Sequence, residues 1–168
     1  MGETTRFARW RKNHISNRQI GCRMIDVEAL KDISYDVVGA IHEVHQELGP
    51  GLNEYVYQEG LAMELEDSGI PFEREKVFHP SYHGCPMKAE YRLDFLCDDS
   101  IIVECKSIQK IGIEQRAQLF NYMRLCEMPV GILVNFAPRY AEIERYFYDA
   151  ETKEICGIDG ISISKFRK

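Results

Sequence analysis

Several common features are missing from this 168-residue sequence. No apolar run approaches the roughly 20 residues that a membrane-spanning helix needs. The N-terminus has no apolar stretch of the kind that a secretory leader carries. The expected compartment is therefore the cytoplasm, with no membrane partner. Cys22, Cys85, Cys97, Cys105, Cys126 and Cys156 are not separated by the short gaps of zinc or iron–sulfur sites. Free thiols are expected, with Cys97 and Cys105 acting as small buried hydrophobes. A glycine-rich nucleotide loop is also missing, because Gly49-Pro50-Gly51 lacks the Lys-Ser/Thr ending of a P-loop. That leaves a metabolic enzyme using nucleotides without support. There is no internal repeat and no low-complexity segment.

Positive charge is in deficit as well. The net charge of −6 counts against a protein that coats nucleic acid electrostatically. The balance is uneven along the chain. Residues 1–23 hold Arg6, Arg9, Arg11, Lys12, Arg18 and Arg23 against Glu3 alone, so the remainder is strongly acidic. Residues 1–25 read as a basic, poorly ordered extension. A phosphate-touching arm, an organelle transit peptide, or an upstream reading ahead of a natural start at Met24 are the alternatives. With 45% hydrophobic and 29% charged residues, positions 26–168 are expected to form one domain with a real core. An acidic body can still act on phosphodiesters if metal ions neutralise its carboxylates.

The apolar periodicity predicts an α/β chain. Ile33, Val37, Ile41, Val44 and Leu48 form one helical stripe from about Asp32, with Asp32 or Ser34 as N-cap and a stop at Gly49-Pro50-Gly51. His42 and His45 on this helix read as structural. Asn53 caps a second helix to about Ser68, with Tyr57, Leu61 and Leu65 facing inward and Gly69 as C-cap. A strand over Glu73–Tyr82 is expected next, then a turn at His83-Gly84-Cys85-Pro86. A helix over Ile113–Cys126 follows, and Pro129 ends it. Val130–Phe136 is almost wholly apolar and predicts a strand covered on both faces, of the kind parallel sheets use. Arg145–Asp149 and Glu154–Ile158 offer a hairpin in the tail.

Between these lies Tyr91–Lys106, two short strands joined at Asp98-Asp99-Ser100. Alternation puts Tyr91, Leu93, Phe95 and Cys97 on one face and Arg92 and Asp94 on the other. In the second strand Ile102, Glu104 and Lys106 oppose Ile101, Val103 and Cys105. Pairing of the strands would bring Asp94, Glu104 and Lys106 onto one patch. Charges on otherwise apolar strands need a partner. A divalent cation held by the carboxylates would be one, and a salt-bridged, solvated sheet face would be the other.

The order helix, three strands, helix, strand, with Asp94, nine intervening residues and then Glu104-x-Lys106, is similar to the D-x(n)-(D/E)-x-K signature of the restriction-endonuclease-like fold. Gly51-x-x-Glu54-x-x-Tyr57, Gln118-x-x-Asn121-Tyr122 and Gly131-x-Leu133-x-Asn135-Phe136 accompany it. In this order and spacing, from about Ile33 to Phe136, the set resembles the GxxExxY proteins within the PD-(D/E)XK nuclease superfamily. The resemblance implies an αβββαβ core, a mixed central sheet flanked by helices, and an extra N-terminal helix. It implies a Mg²⁺- or Mn²⁺-dependent nuclease acting on nucleic acid, DNA being favoured, in repair, recombination or defence. A non-catalytic nucleic-acid-binding or protein-interaction module on the same fold is the alternative.

The site implied by the resemblance has Asp94, Glu104 and the Cys105 carbonyl ligating the metal, with Glu54 as a further contact. Lys106 would orient or help deprotonate a water, with a depressed pKa expected beside a dication. Gln118 and Tyr122 would position phosphate or nucleophile. Arg92 would either bind the scissile phosphate or neutralise Asp94. Tyr57 reads as a packing residue and Asn135 as a strand-end cap. A domain of this size gripping a duplex could need a homodimer or a partner protein.

Overall fold

The computed structural model describes residues 19–20, 23–24, 27–157 and 162–165. The expected extension over residues 1–25 lies outside them, apart from a minimal antiparallel pair, β1 (Gln19–Ile20) with β2 (Arg23–Met24).

Helix α1 runs over Val27–Leu48 and so begins before the predicted start. Its apolar stripe reaches back through Leu30, which packs on the core. Ser34 is consequently not a cap. It is buried within the helix, and its Oγ accepts from Arg145 at 3.3 Å. Helix α2 (Glu54–Asp67) is capped by the Asn53 side chain, which accepts from the Tyr55 N–H at 2.9 Å. Its C-cap is Ser68. Gly69, one residue later, takes the left-handed φ of 68° that closes such an end.

Strand β3 (Phe72–Phe78) stops short of the predicted Tyr82. Pro80 has no N–H to offer a ladder. Ser81–Tyr82 (β4) instead folds onto Cys85–Pro86 (β5) as a separate ribbon. Its turn residues, His83 and Gly84, both have positive φ, the geometry of a tight two-residue hairpin. The central hairpin pairs β6 (Tyr91–Cys97) with β7 (Ile101–Lys106). Asp98 and Asp99 also adopt positive φ, and Ser100 N–H closes the turn on the Cys97 carbonyl at 3.1 Å. Helix α3 occupies Ile113–Cys126, as predicted, and β8 (Val130–Asn135) returns parallel to β7.

The tail contributes more than a hairpin. Strands β9 (Glu142–Asp149), β10 (Glu154–Gly157) and β11 (Ser162–Lys165) extend one seven-stranded sheet of order β11-β10-β9-β8-β7-β6-β3. Only the β7–β8 pairing is parallel, so the sheet is mixed.

Alternation along β7 and β8 sends Ile101, Val103, Cys105, Val130, Ile132 and Val134 to the face covered by α1 and α2. Ile102 and Leu133 face α3. Gly131 lies under α3, where a Cβ would meet Met123 Sδ at 2.4 Å, so glycine permits the close approach of helix and strand. The result is a three-layer, restriction-endonuclease-like α/β architecture with two cores back to back. Among the described residues, no helix is long and apolar enough to cross a membrane. Among the described residues, Cys85, Cys97, Cys105 and Cys126 are free thiols.

Alternation fails at one place. Leu93 packs with the α3-side core, whereas Phe95 and Cys97 join the α1/α2 side. The predicted common face of these residues is therefore wrong. The β3–β6 ladder lacks its Glu75–Asp94 pair, and Glu75 has a φ of 52°. A left-handed residue interrupts the pleat, and irregularities of this kind re-aim neighbouring side chains.

Candidate active site

The strand irregularity falls on Asp94. Pairing of β6 with β7 runs from Cys97↔Ile101 to Phe95↔Val103, and beyond it the Cys105 N–H is taken by the Asp94 carboxylate at 2.8 Å. Asp94 thus closes the end of the hairpin with a side chain. On β7, Glu104 is almost fully buried and Lys106 follows it on the same face. The Lys106 ammonium donates to Glu104 Oε1 at 2.6 Å.

The second helix supplies another carboxylate, and local geometry explains how. The Tyr57 hydroxyl donates to the Gly49 carbonyl at 2.6 Å and accepts from the Leu52 N–H at 3.0 Å. It ties down a turn in which Gly49 and Gly51 both have positive φ. Its ring stacks on Phe136, with centroids 4.5 Å apart. Ser107, just past Lys106, donates from its hydroxyl to the Leu52 carbonyl at 2.6 Å. The start of α2 is therefore fastened to the end of β7, and Glu54 accepts from the Ser107 N–H within the fields of Lys106 and Asp94. The interval Gly51-x-x-Glu54-x-x-Tyr57 acquires a physical meaning: a turn, the acid the turn delivers, and the ring that locks it.

Crowded carboxylates shape the electrostatics. Burial, then repulsion from Asp94, pushes the Glu104 carboxyl up to about 7. Burial also raises Asp94, against the pull of the Cys105 N–H and Lys106, and it raises Glu54. For Lys106, burial works to lower the pKa, but Glu104, Asp94 and Glu54 outweigh it and the net shift is upward. In the metal-free chain three nearby acids thus favour the ammonium, whereas the depression expected from the sequence belongs to the metal-bound state.

On the α3 side, Gln118 Nε2 donates to the Tyr122 hydroxyl at 2.9 Å. Tyr122 is buried; burial raises its pKa, and it feels the charges of Glu104, Lys106 and Asp94. Arg92 is not drawn in. It is exposed and lies 3.6 Å from Glu90 and 3.9 Å from Glu75. The arginine whose charge reaches Asp94 is Arg74, itself paired with Glu59 and 5.1 Å from the Tyr55 ring. The Cys105 thiol is buried in the α1/α2-side core, so only its backbone meets the site.

Two positioning residues had no clear signal in the sequence. Ser107 has none beyond following Lys106. Asn135 was read as a strand-end cap, but all its polar capacity is engaged. Its Oδ1 accepts from Ile108 N–H at 3.0 Å and Ala137 N–H at 3.3 Å, and its Nδ2 donates to Ile108 O at 2.8 Å and to Glu142 at 3.0 Å. It pins the segment after Lys106 to the end of β8. His45, similarly, joins α1 to the Pro138 carbonyl at 3.0 Å.

The donor set fits a hard divalent cation. Glu104 Oε2 is buried with no hydrogen-bond partner, which leaves one carboxylate oxygen lacking a counterpart. Among the described residues, no three His, Cys, Asp or Glu side chains converge into a closed metal cage. Mg²⁺ asks for less, one or two carboxylates with water completing the octahedron, and Asp94 with Glu104 meets that requirement.

The family model of the PD-(D/E)XK nuclease superfamily matches residues 31–146, which contain every element of the site. A crystal structure of a protein designated SSO0001 is 20% identical with a TM-score of 0.47, over 68% of this chain and 60% of that one. The chain thus spans about 60% of that protein's length. No curated protein matches the chain.

Proposed function

We propose, from the premise that the chain belongs to the PD-(D/E)XK nuclease superfamily, that it is a metal-dependent nuclease hydrolysing phosphodiesters in nucleic acid, DNA in the first instance. The observation that carries this reading is the unpartnered Glu104 Oε2, buried beside Asp94 and a charged Lys106. An isolated buried acid would be neutralised or removed at little cost, whereas one that receives a cation has a reason to stay.

Asp94, Glu104 and the Cys105 carbonyl would hold Mg²⁺ or Mn²⁺, with Glu54 reaching it through water. The cation lowers the pKa of a water and offsets negative charge on the phosphate oxygens. Lys106, paired with Glu104, would orient the attacking water or help to deprotonate it. Tyr122, held by Gln118, offers its hydroxyl to phosphate. Arg92, exposed at the start of β6, is placed to meet substrate backbone once released from Glu90 and Glu75. The finer assignment to the GxxExxY proteins is supported by the linked positions of Gly51, Glu54 and Tyr57. Service in repair, recombination or defence, alone or as a dimer, is the matching cellular role.

The test is cleavage of labelled single-stranded, duplex and branched DNA and RNA with Mg²⁺ or Mn²⁺. Asp94→Ala and Lys106→Ala should each lower the rate by about a hundredfold or more. Folded wild-type protein that cuts nothing and gives no calorimetric metal-binding signal would overturn the assignment.

A further inference from the structure

The connections at the two ends of the sheet differ in charge. At the end where β7 stops beside Asp94 and Lys106, three connections emerge: residues 79–90, 107–112 and 136–141. They contain Lys88, Lys110 and Arg139 against Glu90 alone. The turn before α2 at this end, residues 49–53, has no charge at all. At the other end, the turns at 98–100, 127–129 and 150–153 hold Asp98, Asp99, Glu127 and Glu151 against Lys153. Among these connections of a chain of net charge −6, the acids are concentrated at the end away from the site.

Aromatic exposure follows the same division. Five tyrosines are exposed among the described residues: Tyr35, Tyr55, Tyr82, Tyr91 and Tyr140. All but Tyr35 lie at the site end. Tyr82 projects from the β4–β5 hairpin with 68% of its surface free, and Tyr140 from the β8–β9 connection with 75%. Tyr91 lies next to Tyr122 of the site. Its ring stacks on Phe78 at 5.3 Å and meets the edge of Tyr122 at 5.9 Å. Arg139 lies 5.6 Å from the Tyr140 ring.

We infer that this end of the molecule binds unpaired polynucleotide, with bases stacked on Tyr82, Tyr91 and Tyr140 and phosphates drawn by Lys88, Lys110 and Arg139. Exposed tyrosine faces serve bases that are out of a duplex, because paired bases already stack on each other. The inference rests on the nuclease reading of the same site and names its substrate class.

The experiment measures fluorescence anisotropy of labelled 20-mers as single-stranded DNA, single-stranded RNA and blunt duplex DNA. The full chain carrying Lys106→Ala is used in Mg²⁺, so that nothing is consumed. Single strands should bind at least about tenfold more tightly than duplex, and whichever of DNA and RNA binds better identifies the source. Tyr82→Ala and Tyr140→Ala should each weaken single-strand binding about 5- to 100-fold, and phenylalanine at either position should restore it, as stacking requires. Tyr35→Ala should change nothing. Equal or tighter duplex binding overturns the inference, as does single-strand binding that ignores both alanine substitutions, or no binding at all. If the wild type still cleaves duplex in a metal-dependent manner, the nuclease reading survives that failure.

Discussion

Glu104 is where two demands meet. Burial and Asp94 keep its carboxyl proton up to about pH 7, well above the ordinary carboxyl value. The folded chain thus binds this proton more tightly than the unfolded chain. In the metal-free protein the stability due to this group is highest below the ordinary value and falls as pH rises toward 7. Cation binding needs the opposite state, the carboxylate. Mg²⁺ affinity measured by calorimetry should therefore climb about tenfold per pH unit below 7 and level off above it. A flat profile between pH 5 and 8 would take Glu104 out of the metal site. Tyr57 offers a second test at this scale. Tyr57→Phe keeps the stack on Phe136 but removes the hydroxyl that bridges Gly49 and Leu52. A loss of about 1–3 kcal/mol is expected in urea unfolding, together with reduced cleavage because Glu54 loses its anchor.

Among the elements, α3 and β8 depend on a close approach that Gly131 allows. Gly131→Ala places a Cβ 2.4 Å from Met123 Sδ and 3.1 Å from Leu119 Cδ1. Displacing α3 should cost about 1–3 kcal/mol, read as a lowered thermal midpoint, and should shift Tyr122 relative to Glu104. An unchanged midpoint would mean that Met123 repacks freely. Elements with strong local signals were legible in advance: the Ile113–Cys126 helix, ended ahead of Pro129, and the almost wholly apolar β8 beside its parallel neighbour. The strand through Glu73–Tyr82 was not, because β propensity continues past Phe78 while Pro80 stops the ladder. The early start of α1 was hidden for a related reason. Asp32 and Ser34 look like caps, yet the core they adjoin is formed by distant strands.

For the molecule as a whole, the electrostatics predict a conditional binder. Asp94, Glu104 and Glu54 sit at the end where a polyanion must arrive, so without metal they oppose the few cations around them. Lys106→Ala protein should bind nucleic acid at least about tenfold more weakly in EDTA than in Mg²⁺. Added salt should weaken both, since the remaining attraction is with phosphate. Equal affinity in EDTA and Mg²⁺ would show that the carboxylates do not face the substrate.

Sequence by itself determined the helices and strands with clear periods, the tight turn at Asp98-Asp99, and the spacing that puts Asp94 and Glu104 on paired strands. These follow from short-range geometry: a residue's φ preference, a two-residue alternation, a helical stripe. Tertiary structure decided what depends on contacts between distant residues. It set Leu93 against α3 through the left-handed Glu75 on a neighbouring strand. It brought Glu54 beside Ser107, left Arg92 outside and put Arg74 within reach of Asp94. It also gathered Glu104, Asp94 and Glu54 around Lys106, which raises its pKa in the metal-free chain, since a pKa is set by all the charges packed around a group. Three-dimensional packing sums fields and contacts over residues far apart in the chain, and no local window contains that sum.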